Sequence, residues 1–371
     1  MGEVCEKILS GGTPSTEIKE YWEGNIPWIT SADISGIKDV KPRRFITKQA
    51  IDNSATNLIP KNNIIVVTRV GLGKLLLNDF DLCISQDSQG LIVDKSKIVP
   101  EFLVYLLSEE VKKFKDNSRG STIQGVTKSQ LTEIKIPLLP LSVQQEIVAE
   151  IEGYRKIIDG ARQVVENYKP RIKVDEGWEV VELGDVVEIN PSKNELKNMS
   201  KDLEVSFLPM SDLHQKQINF EIKEKRKLGE VIKGYTFFKN NDVLLAKITP
   251  CFENRKSGIA ANLINSIGFG STEFIVFRPG EKVIPEWIYY FISDGTFLNI
   301  GKNNMTGSAG QQRLSSDFVK SFKIPLPPLD VQKQIVARIE EEQKLVDANK
   351  KLIELFEGKI KEKIAEVWGQ I

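Results

Sequence analysis

The sequence predicts an α+β protein: two similar mixed α/β domains joined by two long helices that pack as an antiparallel coiled coil, with approximate two-fold symmetry. Three observations predict it. Ile136-Pro-Leu-Leu-Pro-Leu-Ser-Val-Gln-Gln-Glu-Ile-Val-Ala-Glu-Ile-Glu152 returns without a gap as Ile324-Pro-Leu-Pro-Pro-Leu-Asp-Val-Gln-Lys-Gln-Ile-Val-Ala-Arg-Ile-Glu340, 188 positions later (324 minus 136). A heptad pattern follows each copy. Short β-branched runs punctuated by Gly, Asn and Asp fill the stretch before each copy.

Each copy opens a helix. Pro137 and Pro140, and Pro325, Pro327 and Pro328, break what precedes, while Ser142 and Asp330 are good N-cap residues. In the first helix Ile147, Ile151, Tyr154, Ile158, Ala161, Val165 and Tyr168 are spaced 4-3-4-3-4-3, an uninterrupted seam. Adding 188 gives Ile335, Ile339, Glu342, Val346, Asn349, Ile353 and Phe356, which keeps most of the seam apolar. The polar pair Glu342 and Asn349 suits a role in fixing register. The first helix should run from about 142 to Tyr168, before Pro170, and the second could reach Trp368. Two such helices in one chain, each entered after an equivalent domain, pair most simply with each other and antiparallel.

The segments before the helices correspond through landmarks. Gly2-Glu-Val-Cys-Glu answers Gly184-Asp-Val-Val-Glu, Ser31-Ala-Asp-Ile answers Ser211-Asp-Leu, Pro100-Glu-Phe answers Pro285-Glu-Trp, and Gly120-Ser-Thr answers Gly307-Ser-Ala. Asn63-Ile-Ile-Val-Val-Thr68, Gly90-Leu-Ile-Val93, Asp242-Val-Leu-Leu-Ala246 and Glu273-Phe-Ile-Val-Phe277 read as strands, and the Pro-Glu-aromatic segments as helix. The expected division is residues 1–140, a first helix 141–175, residues 176–328, and a second helix 329–371. Between the landmarks the halves differ almost everywhere, as expected of two modules with one frame and different targets.

Composition narrows the chemistry. With 371 residues, 40% apolar and 27% charged, the chain is an ordinary folded protein with room for two or three domains. Cys5, Cys83 and Cys251 are far apart with no C-x-x-C pair, so reduced thiols are expected. No apolar run reaches the roughly 20 residues that span a bilayer, and the N-terminal residues carry neither a secretion nor a myristoylation pattern. The expected location is the cytoplasm. His214 is the only histidine, so a Ser-His-Asp or Cys-His nucleophile has one possible base and no partner motif. Gly71-Leu-Gly-Lys74 lacks the remainder of a phosphate loop and reads as a turn. The chain therefore reads as non-catalytic, with no cofactor and no metal.

Charge gives no general signal for nucleic acid: Lys plus Arg and Asp plus Glu are 51 each. Residues 1–140 carry 18 basic and 17 acidic groups and residues 177–323 carry 19 and 18, so each is only +1. Any phosphate or base contact must come from local clusters. The candidates are Arg43, Arg44, Arg69, Lys74, Gln86, Arg119 and Gln124 in the first half. In the second they are Lys225, Arg226, Lys247, Arg255, Lys256, Gln311 and Gln312. Arg and Lys neutralise phosphates or pair with guanine, and Gln reads adenine by two hydrogen bonds.

The repeat of Ile-Pro-Leu-Pro-Pro-Leu-x-x-Gln-x-x-Ile-Val type leading into a long helix is joined by two other elements. These are Gly11-Gly-Thr-Pro-Ser15 with Tyr21-Trp-x-Gly-Asn-Ile-Pro-Trp-Ile29, and Trp178-x4-Leu-Gly-Asp185. Together, over essentially the whole chain, they resemble the specificity subunit of type I restriction–modification systems. The resemblance implies two target recognition domains, each reading one half of a split sequence in double-stranded DNA. It implies a helical spacer that sets the distance between half-sites, about one helical turn or 34–36 Å between centres, and that docks two modification subunits. Methyl transfer from S-adenosylmethionine, and ATP-driven translocation and cleavage by restriction subunits, would belong to those partners. The first domain departs from the pattern by lacking the Trp and Leu of Trp178-x4-Leu-Gly-Asp185, so either the chain starts late or its first strand is completed differently. Two other readings stand beside this one: a non-DNA adaptor whose coiled coil joins two protein-binding domains, and an enzyme with a dispersed active site.

Overall fold

A computed structural model describes residues 1–117, 125–214, 218–220, 222–308 and 310–369. The chain divides into two compact units, one formed by Met1–Tyr168 with Asp347–Ile371, the other by Lys169–Val346.

The first unit contains β1 (Cys5–Ser10), β2 (Ile26–Ile29), β3 (Arg44–Ile46), a short α1 (Lys48–Asp52), β4 (Leu58–Ile59), β5 (Ile64–Val67), β6 (Leu75–Leu77), β7 (Leu82–Ile84) and β8 (Ser88–Val93). Then come α2 (Pro100–Asn117), α3 (Lys128–Glu133) and the long α4 (Leu141–Asn167). Its strands form two sheets, ordered β1-β8-β5-β6 and β3-β2-β7-β4. The four residues of β5 are all buried, which is why a continuous apolar run rather than an alternating one codes for this strand. Among the described strands of this unit only β2 and β7 pair in parallel.

The second unit repeats this plan. It contains β9 (Glu179–Glu182), α5 (Leu183–Val186), β10 (Val187–Ile189), β11 (Glu204–Leu208), β12 (Glu224–Lys227), α6 (Leu228–Val231), β13 (Thr236–Lys239), β14 (Val243–Ala246), β15 (Ser257–Ile259), β16 (Ile267–Gly270) and β17 (Phe274–Pro279). They are followed by α7 (Pro285–Ile292), α8 (Gly295–Asn303), β18 (Met305–Thr306), β19 (Arg313–Leu314), α9 (Ser316–Ser321), β20 (Lys323–Leu326) and α10 (Leu329–Trp368). Its sheets, β10-β17-β14-β15 and β12-β11-β16-β13, match those of the first unit strand for strand, down to the single parallel pair β11–β16 within them. The added β9–β20 pair has no counterpart among the described residues of the first unit. It belongs to the Trp178-x4-Leu-Gly-Asp185 segment that the first half lacks: Leu183 is buried and Trp178 meets the fully buried Trp287 edge-on at 6.0 Å.

The repeated segment has a purpose that its pattern of prolines and apolar residues does not announce. Gln144 and Gln332, at equivalent positions in the two copies, are both completely buried. The Gln144 amide donates to the carbonyls of Leu139 (2.7 Å) and Lys97 (3.1 Å) and accepts from the N–H of Val99 (2.8 Å). Gln332 repeats this with Pro327 (2.8 Å), Lys282 (2.9 Å) and Ile284 (3.1 Å). One side chain thus bonds three backbone groups, and ties the start of each long helix to the loop that enters α2 or α7.

The long helices span 141–167 and 329–368, the second about 60 Å long at 1.5 Å per residue. Both begin two residues earlier than the N-cap reading. Leu141 and Leu329 are the first helical residues, and Ser142 and Asp330 lie inside the first turn rather than capping it. Pro140, at φ −54°, already has a helix-compatible φ, so the turn starts directly behind it. Residues 329–346 of α10 belong to the second unit and the remainder to the first. Within the first unit the two helices run antiparallel, as Arg162–Glu357 (2.6 Å), the Tyr154–Phe356 ring pair (5.3 Å) and Glu150–Lys363 (2.8 Å) show. Ile151 and Ile158 are buried, while Ile147, Tyr154, Val165, Tyr168, Ile353 and Phe356 are half-buried. In the second unit Ile339 and Val346 are buried and Ile335 half-buried. The apolar seam of α10 continues past Phe356 through Ile360, Ile364 and Val367 into the core of the first unit, where it joins Ile151 and Phe102.

Candidate nucleic-acid interface

In each unit three loops meet where the two sheets exchange strands. In the first they are the β5–β6 turn, the β7–β8 connection, and the chain entering α3. The N–H groups of Thr68 and Arg69 donate to the carbonyl of Asp87 (2.8 and 3.3 Å), and Val126 N–H donates to that of Thr68 (2.8 Å). Gly11-Gly-Thr-Pro-Ser15 is laid against the same connection: Gly12 N–H donates to Ile84 (2.9 Å), and the Thr13 hydroxyl bonds the Gln86 amide oxygen. A Cβ on Gly11 would lie 1.9 Å from the Ser85 carbonyl oxygen, so backbone meets backbone here and no side chain fits. Gly11→Ala is expected to destabilise the first unit by upwards of about 1 kcal/mol, measured as a lower thermal midpoint.

The second unit builds the same junction. Lys247 N–H donates to the carbonyl of Glu273 (2.8 Å), Leu314 N–H to that of Lys247 (2.9 Å), and Thr249 and Gln312 exchange hydrogen bonds at 3.0 Å. The third loop is here a hairpin, β18–β19, whose turn uses Gly307 (φ 120°) and Gly310 (φ 83°). The junctions therefore gather Arg69 and Gln86 in one unit and Lys247, Gln311 and Gln312 in the other. Arg119 and Gln124 lie outside the described residues.

The remaining candidates lie elsewhere. Arg43, Arg44, Lys225 and Arg226 lie on or beside β3 and β12, the outer strands of the second sheet in each unit. Arg44 stands 5.8 Å from the ring centres of both Trp22 and Trp28. Those indoles are pinned by donating to the carbonyls of Ser15 (3.0 Å) and Gly12 (2.9 Å), which explains why the glycine and tryptophan motifs occur together. Arg226 stacks on Phe207 at 3.6 Å and bonds Glu224 (2.7 Å). Stacking orients each guanidinium, and that of Arg226 also donates to the Tyr235 hydroxyl at 3.3 Å. Arg43 and Lys225 are paired with Asp33 (2.6 Å) and Glu204 (2.9 Å).

Lys74 and Lys256 have a role that sequence reasoning missed. The Lys74 ammonium donates to the carbonyls of Ser31 (2.7 Å) and Ile34 (2.8 Å), and Lys256 to that of Met210 (2.9 Å). Both latch the loop after β2 or β11, where the Ser31-Ala-Asp-Ile and Ser211-Asp-Leu landmarks sit. Arg255 lies in the β14–β15 turn, exposed and at φ 58°. Also overlooked were Arg313 and Glu273, which form a fork: Arg313 Nε contacts both carboxylate oxygens (3.1 and 3.0 Å) and Nη2 contacts one (2.8 Å). The guanidinium holds the Glu273 carboxyl below its ordinary value. The partners are 40 residues apart, and no local pattern joins them.

Catalytic chemistry finds little here. Burial pushes the Cys83 thiol up to about 12 and that of Cys5 to about 11, away from the nucleophilic thiolate. His214 is exposed. Among the described residues no group of three or more His, Cys, Asp or Glu could hold a metal ion, and no helix is long and apolar enough to cross a membrane.

The frame is kept twice, with different loops and different polar side chains at the same junction. Residues 1–167 and 175–357 each match the type I restriction modification DNA specificity domain. The chain belongs to that family.

Its relatives carry the same description. It is 36% identical over 226 residues to the type I restriction enzyme EcoAI specificity subunit of Escherichia coli, a match covering 56% of this chain and 38% of that protein. The MjaIX specificity subunit of Methanocaldococcus jannaschii is 27% identical over 51% of each chain. The chain thus spans about two-fifths to half the length of these curated relatives. The MjaVIII specificity subunit of the same archaeon is 22% identical over 96% of this chain and 88% of its own. Among solved structures, the S subunit of a type I restriction–modification system from M. genitalium shares the fold, with TM-score 0.55, 15% identity and coverage of 99% and 94%. A chain from a study of type I system assembly and conformational transition does so at TM-score 0.56, 18% identity and coverage of 99% and 95%.

Proposed function

We propose that this chain supplies DNA sequence specificity to a type I restriction–modification complex in the cytoplasm, each of its two recognition domains reading one half of a bipartite duplex target. The domains are residues 1–140 and 176–328, joined by spacer segments 141–175 and 329–371, whose helices are α4 and α10. The observation that carries the reading is the pair of matching sheet orders with non-matching junction loops: a shared scaffold presents different side chains to different half-sites. The helical spacer fixes the distance between half-sites and docks two modification subunits. Methyl transfer and ATP-dependent cleavage belong to the modification and restriction subunits.

Base and phosphate contacts come from the junction groups Arg69, Gln86, Lys247, Gln311 and Gln312 and from the stacked Arg44 and Arg226. The +1 balance of each large segment supports sharing of phosphate contact with partner subunits. Methylation-site sequencing of cells expressing the chain with its modification subunit, beside cells lacking it, should reveal a split motif with a methylated adenine in each half. Exchange of residues 1–140 for another first domain should change one half and preserve the other. A change in both halves would refute separate readers, and methylation unaffected by the chain would move the assignment to a protein-binding adaptor.

A further inference from the structure

We infer that Arg313, held by Glu273, is the base-reading side chain of the second domain, and that it selects a guanine in the half-site that domain reads. The inference rests on the proposed DNA recognition and adds a residue and a base to it. A guanidinium has five N–H donors. Three are engaged here: Nε–H and one Nη2–H on the Glu273 carboxylate, and one Nη1–H on the carbonyl of Gln311 at 3.2 Å. Two N–H bonds remain, on the two terminal nitrogens, and the side chain is 46% exposed. Donors on the two terminal nitrogens suit the O6 and N7 acceptors of guanine in the major groove.

The support beneath Arg313 is built rather than incidental. Its own backbone is bridged to Ile248, Gln312 on one side is locked to Thr249, and Leu314 on the other is buried and bonded to Lys247. Glu273 sits at the β16–β17 connection, its N–H received by the Ser271 hydroxyl at 3.2 Å. A guanidinium that only neutralised phosphate would gain nothing from a carboxylate paired to it. One that reads a base edge gains a fixed plane. Among its described residues the first unit does not have this device. By the 188-residue repeat, the position of Arg313 is Gly125 there, and a Cβ on it would lie 2.6 Å from the Thr68 carbonyl oxygen. Asp87 stands where Glu273 does. The effect should therefore be confined to one half-site.

The test uses the full chain assembled with its modification subunit. The wild-type methylation motif is expected to contain a guanine in the half-site assigned to residues 176–328 by domain exchange. In competition with duplexes altered one base at a time, the wild-type complex should prefer that guanine by roughly tenfold to a hundredfold. R313K, which keeps the charge but not the fork, should reduce the preference to under about threefold at that position and leave every other position unchanged. E273Q should shift it the same way by less. A motif with no guanine in that half, unchanged discrimination in R313K, or weakening by the same factor on every sequence would each overturn the inference. The last would mark Arg313 as a phosphate contact. Absence of any split motif would instead overturn the DNA-specificity reading itself.

Discussion

Gln332→Leu is expected to destabilise the second unit by about 3–5 kcal/mol, although leucine is close in size to the glutamine it replaces. The substitution leaves Ile284 N–H and the carbonyls of Lys282 and Pro327 without the amide that bonds them. Each buried group left unsatisfied costs about 1–3 kcal/mol, with some recovered by relaxation. For a unit of this size the loss corresponds to a fall in thermal midpoint of roughly 10 °C. Calorimetry of the full chain measures it, and Gln144→Leu should produce the same loss in the first unit. Gln332→Glu separates hydrogen bonding from packing: the carboxylate accepts from Ile284 but turns two backbone carbonyls against an anion. It should be worse than leucine. A leucine variant within about 1 kcal/mol of wild type would show that the side chain fills space and does little else.

Ile364→Ala should cost the first unit about 3–4 kcal/mol, and Ile364→Asp more, because it places a charge without a partner in an apolar core. Ile364 is 3% exposed and sits among Phe102, Ile151 and Val367. Hydrogen exchange reads the result by segment. Protection should fall in α2 residues 102–107 and stay unchanged in β17. Equal loss in both segments would mean that the two units unfold as one.

The helices were the most legible part of the chain, because prolines and heptad spacing act within a few residues. The expected spans of 142–168 and up to 368 lie within a residue of 141–167 and 329–368. The seam itself was read only to Phe356, where correspondence with the first helix stops, so Ile360, Ile364 and Val367 were passed over. Strands were visible as β-branched runs, but sheet order was not: β1 pairs with β8 across some 80 residues, as Ser10 with Gln89, and nothing local records that. Gln144 looked like an ordinary polar residue of a first turn because most of its partners are backbone groups, 45 and 47 residues earlier in the chain.

The candidate site was legible as residue types and illegible as destinations. Lys74 and Lys256 advertise positive charge, yet their ammoniums end on backbone carbonyls. Arg44 gave no sign that two indoles would carry it. Arg313 was missed because its meaning depends on Glu273, which arrives from a different strand connection.

The glutamine lock asks nothing of the side chains it holds. From the loop that enters α2 or α7 it uses only main-chain atoms, the oxygen of Lys97 or Lys282 and the N–H of Val99 or Ile284. Every amino acid offers that oxygen, and every one but proline offers that N–H. The joint is therefore blind to the sequence it clasps. A different preceding domain would offer the same helix the same main-chain atoms to grip.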